Sequence, residues 1–177
     1  MDEYLETASF WFIPSNETLW QEIIDELADE FGTPKFRPHL TLHCVFERVG
    51  IARLRDVLED VHRQTAASLP IKLKVSGIGH SSVRFKTLFL EFERNEQLEQ
   101  LHENLRKSLK SSYIFKPHLS LMYQEDLSQP IRENLVERFE HKFKSAELEF
   151  RLIAAVSPGK DQKDFNQVDL WEIVYQL

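Results

Sequence analysis

Two imidazoles and two hydroxyls stand in one short phrase that the chain carries twice. The first copy is Phe36-Arg37-Pro38-His39-Leu40-Thr41-Leu42, and the second is Phe115-Lys116-Pro117-His118-Leu119-Ser120-Leu121. Five of the seven columns are identical; the other two exchange Arg for Lys and Thr for Ser. The copies lie 79 residues apart. Imidazoles titrate near neutral pH, and hydroxyls donate to phosphoryl oxygens. If the two copies face each other, they supply two proton carriers and two donors around one phosphate.

The phrase also says how the groups are held. A residue before proline is pushed towards extended backbone, so Arg37 and Lys116 lead into strands. Side chains alternate faces along a strand. His39 and Thr41 therefore point one way while Leu40 and Leu42 point the other, and His118 and Ser120 stand likewise against Leu119 and Leu121. Packing accounts for the leucines and prolines of a duplicated strand. It does not account for a polar pair kept on the opposite face of both.

These paired His-x-Thr/Ser motifs resemble the 2H phosphoesterase superfamily. Within it, the chain looks most like the cyclic phosphodiesterases that open nucleoside 2',3'-cyclic phosphates and ADP-ribose 1'',2''-cyclic phosphate. The likeness extends to the opening strand with Trp11 and Pro14, the stretch from Gly77 through Phe92, Tyr123 at the end of the second motif strand, and a last strand with Trp171-Glu172. It implies that His39 and His118 are catalytic, and that Thr41, Ser120 and Tyr123 contact the substrate phosphate. It also implies a two-histidine mechanism with no metal and no cofactor. It does not fix which histidine is the base; His118 as base and His39 as acid is the preferred assignment. Tyr123 lies an odd step from Ser120, so strict alternation puts it on the opposite face unless a bulge intervenes. The second motif has Ser where the pattern favours Thr, which keeps the donor but loosens its rotamer.

Composition bounds the class. The chain has 177 residues, 42% of them apolar and 29% charged, with thirteen Phe to build a core. That suffices for one domain of two intimate lobes over residues 1–177. Cys44 is the only cysteine, which excludes an internal disulfide and fits a reducing, cytoplasmic setting. No signal segment or membrane span is expected. The net charge of −7, from 22 basic and 29 acidic residues, suits a long polyanion poorly. The expected partner is a small nucleotide-like cyclic phosphate, with RNA ends as the second reading and an idle nucleotide-binding module as the third. Lys35, Arg37 and Lys116 are the local cations, and a monomer is expected.

Around the motifs, the chain reads as two copies of strand, helix, motif strand, helix, strand, with one strand added at the end. Residues 8–13 form a buried strand, and Ser15 caps a helix with Leu19, Ile23, Ile24, Leu27 and Phe31 on one face, closed by Gly32. The first motif strand covers 39–46. Leu54, Leu58 and Val61 mark a second helix before Pro70, and residues 71–78 alternate as a strand. Gly77 through Ser82 read as a hairpin turn rather than a phosphate cradle. A strand over 83–93 follows, then a helix capped by Asn95 with Leu98, Leu101, Leu105 and Leu109 inward. The second motif strand covers 118–123; Ser128 and Pro130 open a helix with Ile131, Leu135 and Phe139 inward. Closing strands near 147–156 and 168–176 flank a polar, mobile loop over 157–167. The fold expected is α+β: two pseudo-symmetric lobes with mainly antiparallel sheets and outer helices, and an active-site cleft between them.

The remaining candidates read more plainly. Trp11 and Phe85 are either core residues or stacking faces for a base, with core the stronger reading. His43 shares a face with His39 by strict alternation; partial exposure is preferred over a rim contact or a metal ligand. His62, His102 and His141 fall on helices and are expected to face solvent, while His80 in the turn is left open.

Overall fold

The computed structural model describes residues 3–110, 113–158 and 167–177, without the side chain of Asp169. The strands are β1 (Tyr4–Leu5), β2 (Ala8–Pro14), β3 (Leu40–Val45), β4 (Val49–Gly50), β5 (Ile71–His80), β6 (Leu88–Phe92), β7 (His118–Met122), β8 (Glu147–Ser157) and β9 (Glu172–Gln176). The helices are α1 (Glu17–Phe31), α2 (Ile51–Thr65), α3 (Glu96–Leu109) and α4 (Gln129–Phe143). The two halves are thus β2-α1-β3-α2-β5 and β6-α3-β7-α4-β8, with β9 added. Most of the loop expected over 157–167 lies outside the described residues.

The large sheet is antiparallel, in the order β2-β3-β7-β6-β5-β8-β9, and β2 also pairs with β8. The last pairing closes β2, β3, β7, β6, β5 and β8 into a ring. Exchanging each strand for its counterpart in the other half returns the same ring, so the pseudo-twofold passes between β3 and β7. There Leu40 pairs with Leu119, equivalent residues of the two motifs. The helices exchange as well: α1 packs on β7 and α3 on β3, while α2 packs on β8 and α4 on β5. Each half's outer layer covers the other half's strands, so the two lobes share one sheet and one core.

The motif leucines anchor that core. Leu40, Leu42, Leu119 and Leu121 are fully buried, each worth about 1.5–3 kcal/mol of hydrophobic transfer. Several local expectations hold. Asn95 accepts a hydrogen bond from the Leu98 N–H at 2.9 Å, and Gly32 ends α1 at φ 65°.

Others are corrected. Asn16, not Ser15, precedes α1, and the Ser15 hydroxyl donates instead to Glu149 at 3.2 Å. Ile131 is exposed rather than inward. β5 runs on through Gly77 and Gly79 to His80, so that stretch is strand and not turn. The turn falls later, with a short 3-10 segment at Arg84–Lys86, and β6 begins only at Leu88. The reason is steric: Gly79 pairs with Phe89, and a Cβ at Gly79 would overlap the Phe89 ring. Gly79 makes room for an aromatic ring, and both glycines continue the strand instead of turning the chain.

Candidate active site

The adjacency that periodicity cannot supply is provided by the β3–β7 pairing. It brings the two motif histidines to one cavity of about 460 Å³. His39, Thr41, His118 and Tyr123 all line it, with Trp11 and Cys44 beside them. Lys86 is the cation on its wall among the described residues, and Phe85 and Trp171 are further aromatic faces.

The two imidazoles are held alike. His39 Nδ1 lies 2.6 Å from the Arg37 carbonyl oxygen, and His118 Nδ1 lies 2.7 Å from that of Lys116. A carbonyl only accepts, so each Nδ1 carries the proton and donates it. Each ring, when neutral, therefore keeps its basic nitrogen at Nε2. The backbone kink at X-Pro-His sets this bond, since the acceptor is the residue before the proline in both motifs. Burial lowers the pKa of His39 to about 3, opposed by the Arg37 carbonyl and assisted by the charge of His118. Burial lowers His118 to about 4, opposed by the Lys116 carbonyl and assisted by Lys86.

Both motif strands bulge at the same column. In β3, Phe10 pairs with His43 and Trp11 with Thr41, leaving Leu42 as the extra residue. In β7, Leu88 pairs with Met122 and Phe89 with Ser120, leaving Leu121 as the extra residue. A bulge shifts the alternation by one. Tyr123 therefore returns to the face of His118, which strict alternation denied it. Its equivalent in the first motif is Cys44, five residues after His39, and it too faces the cavity. Comparing the two copies beyond their seven shared columns, with one extra residue allowed in each, would have found Cys44. Lys86 had no such signal in the sequence.

The same bulge corrects His43. It turns away from the cavity and is fully buried, with no hydrogen-bond partner for either ring nitrogen among the described residues. It is neither partly exposed nor at a rim. His102 is corrected too: it is buried, stacks on Phe115 at 4.3 Å, and donates from Nδ1 to the Leu42 carbonyl at 2.8 Å. The bulged residue thus takes its hydrogen bond from α3, which is why a histidine sits inside that helix's apolar face. Among the described residues, no group of three His, Cys, Asp or Glu is placed to hold a metal ion.

The hydroxyls are not equivalent. Thr41 is half-buried on the cavity wall, whereas Ser120 is buried and donates to the Phe85 carbonyl at 2.9 Å. Burial pushes the Tyr123 hydroxyl pKa up, with a hydrogen bond to Ser120 acting the other way. Phe36, the first residue of motif one, stacks on Tyr123 at 3.9 Å and so ties the first motif to the second. Trp11 is buried, stacking with His39 at 3.7 Å and with Trp171 at 5.8 Å. Its packing partners are protein rings, one of them catalytic in expectation.

Comparison with known proteins identifies the family and the fold. Residues 15–162 match the 2'-5' RNA ligase superfamily. A protein of Geobacillus thermodenitrificans (strain NG80-2), whose name carries the word phosphoesterase, is 31% identical over 87 residues, 48% of this chain and 50% of that one. A similarly named protein of Geobacillus sp. (strain WCH70) is 32% identical over the same shares. The chain spans about half the length of the relatives it matches there. Among solved structures, E. coli LigT complexed with NADP+ superposes with a TM-score of 0.59 at 14% identity, covering 99% of this chain and 98% of that one. A crystal structure described as a phosphoesterase gives 0.57 at 13% identity over 96% of both chains. The chain belongs to the 2'-5' RNA ligase superfamily, the 2H phosphoesterases, and shares the LigT fold.

Proposed function

We propose that the protein is a cyclic phosphodiesterase that opens nucleoside 2',3'-cyclic phosphates, ADP-ribose 1'',2''-cyclic phosphate, or both, to monoesters. The observation that carries this reading is the pair of histidines on one cavity, each with Nδ1–H fixed to a carbonyl and Nε2 left as the basic nitrogen. Hydrolysis needs a water deprotonated on one side of phosphorus and a leaving oxygen protonated on the other. His118 Nε2 takes the water proton as the water oxygen bonds to phosphorus. His39, protonated when the substrate's negative charge enters, gives its proton to the departing ribose oxygen. The Trp11 face stacked on His39 supports this assignment, because an aromatic face favours the imidazolium. It works against the deeper burial that holds the pKa of His39, at about 3, below that of His118, at about 4. Both proton transfers are then supplied by the chain itself, with no step that calls on a metal.

Thr41 and Tyr123 donate to the non-bridging oxygens, where charge grows. Ser120 joins them by turning its proton from the Phe85 carbonyl towards the phosphate. The expected partner is a small nucleotide. LigT structures complexed with 3'-AMP, ATP and NADP+ support a nucleotide-shaped ligand for this fold. Phe46, 72% exposed where it borders the cavity, favours a second reading in which a neighbouring base of an RNA end stacks there.

The test is product analysis with 2',3'-cyclic AMP and with ADP-ribose 1'',2''-cyclic phosphate, in EDTA. Turnover to a monoester, undiminished by EDTA, is expected. Its phosphate position reports which oxygen left. Failure on both substrates, with turnover of oligonucleotide ends, would move the assignment to the second reading. Loss in EDTA that added metal restores would overturn the metal-free mechanism.

A further inference from the structure

We propose that Lys86 and Lys116 form a second phosphate subsite beside His118, which holds a further phosphate of the substrate, such as the 5'-phosphate of a nucleoside cyclic phosphate. The inference rests on the cyclic-phosphodiesterase reading and adds the substrate class to it. A depression of about 570 Å³ adjoins the catalytic cavity and shares two wall residues with it, Lys86 and His118. Lys116 lies on the same depression. An anion there would sit one histidine away from the reacting phosphorus.

The charges on this surface point to a missing partner. Many cations elsewhere are matched, among them Lys35 with Asp29 at 2.8 Å, Lys74 with Glu93 at 2.8 Å and Lys72 with Glu147 at 3.4 Å. Lys86 and Lys116 close no ion pair among the described residues, in a protein of net charge −7. Burial and the charge of Lys116 both lower the Lys86 pKa, while Glu91 on the same depression offsets them in part. Lys86 is partly out of water and Lys116 is exposed; two such cations near each other repel, and an anion between them relieves that repulsion.

The pseudo-twofold supplies a control. Arg37 is the counterpart of Lys116, and it is taken up by Glu17, with Nε–Oε1 at 2.5 Å and Nη2–Oε2 at 3.0 Å. The first motif has spent its cation on the fold; the second has kept its cation beside the site. Among the described residues, the His118 side is therefore the one prepared for a further anionic group, which gives the substrate a direction in the cavity.

The experiment compares kcat/KM for 2',3'-cyclic AMP with and without a 5'-phosphate, in the wild type and in Lys86→Met, Lys116→Gln and Lys116→Arg. The wild type should favour the 5'-phosphorylated substrate by on the order of ten-fold, the scale of one charge-assisted hydrogen bond. Lys86→Met and Lys116→Gln should bring that ratio towards one, and Lys116→Arg should keep it. A wild-type ratio of one, or a preference untouched by both neutral variants, would overturn the subsite. If neither substrate is turned over, the activity reading fails, and the subsite is judged by calorimetry. Adenosine 2',5'-bisphosphate must then bind more tightly than 2'-AMP, with the difference lost in Lys116→Gln. Equal affinities would overturn the subsite on its own terms.

Discussion

His39 and His118 are poised by their neighbours rather than by their own chemistry. Burial holds their pKa values at about 3 and about 4, below the ordinary imidazole value. Both rings are then neutral near neutrality, and each presents Nε2 as a base. A phosphate anion between them favours the charged form and raises both values. Binding a phosphate product at about pH 6 should therefore take protons up from solution, because the bound state holds more protons than the free one. Calorimetry in buffers of different ionisation enthalpy measures this, and proton release would contradict it. At this scale the sequence was generous for the motif residues, since their repetition named them. It was silent on Lys86, and misleading on His43 and His102, whose surroundings are set by a bulge and by a helix from the other half.

The bulges at Leu42 and Leu121 decide what the cavity is made of. Without them, His43 would face the site and Tyr123 would not. Periodicity legibly gave the strands and their leading residues, but a bulge leaves no mark on a short run of apolar residues. Gly79 shows the complementary failure: glycine in a polar stretch suggests a turn, whereas here it admits the Phe89 ring. That ring stands edge-on to His118 at 5.4 Å. Gly79→Ala should cost about 1–3 kcal/mol through overpacking and should lower turnover by moving Phe89 against His118. Adding Phe89→Leu should recover part of the stability, as urea denaturation of the double-mutant cycle will read. Strict additivity of the two changes would show that the ring is not what Gly79 accommodates.

At the scale of the whole molecule, each half's helices cover the other half's strands, and one ring of strands closes both. Two pseudo-symmetric α+β halves were legible from the repeated order of elements. The exchange of helices was not, because it depends on which strand each helix lies over. Interwoven halves should unfold together. Tryptophan fluorescence, from Trp11, Trp20 and Trp171, and far-ultraviolet circular dichroism should give coincident urea transitions. Separated transitions would mean that one half survives without the other.

The twofold also underlies the proposed reaction. It places two equivalent imidazoles on one cavity, and then breaks their equivalence with Trp11 on one side and two unmatched lysines on the other. The measurement that bears most directly on this is kcat/KM for the best cyclic phosphate in His39→Ala, His118→Ala and the double variant. Acid–base catalysis by a positioned group is worth about 10²–10⁴-fold, and groups acting as one unit are not additive. Each single variant should lose activity on that scale with its circular dichroism unchanged, and the double variant should be little worse than either. Near-wild-type turnover in either single variant would contradict the paired mechanism.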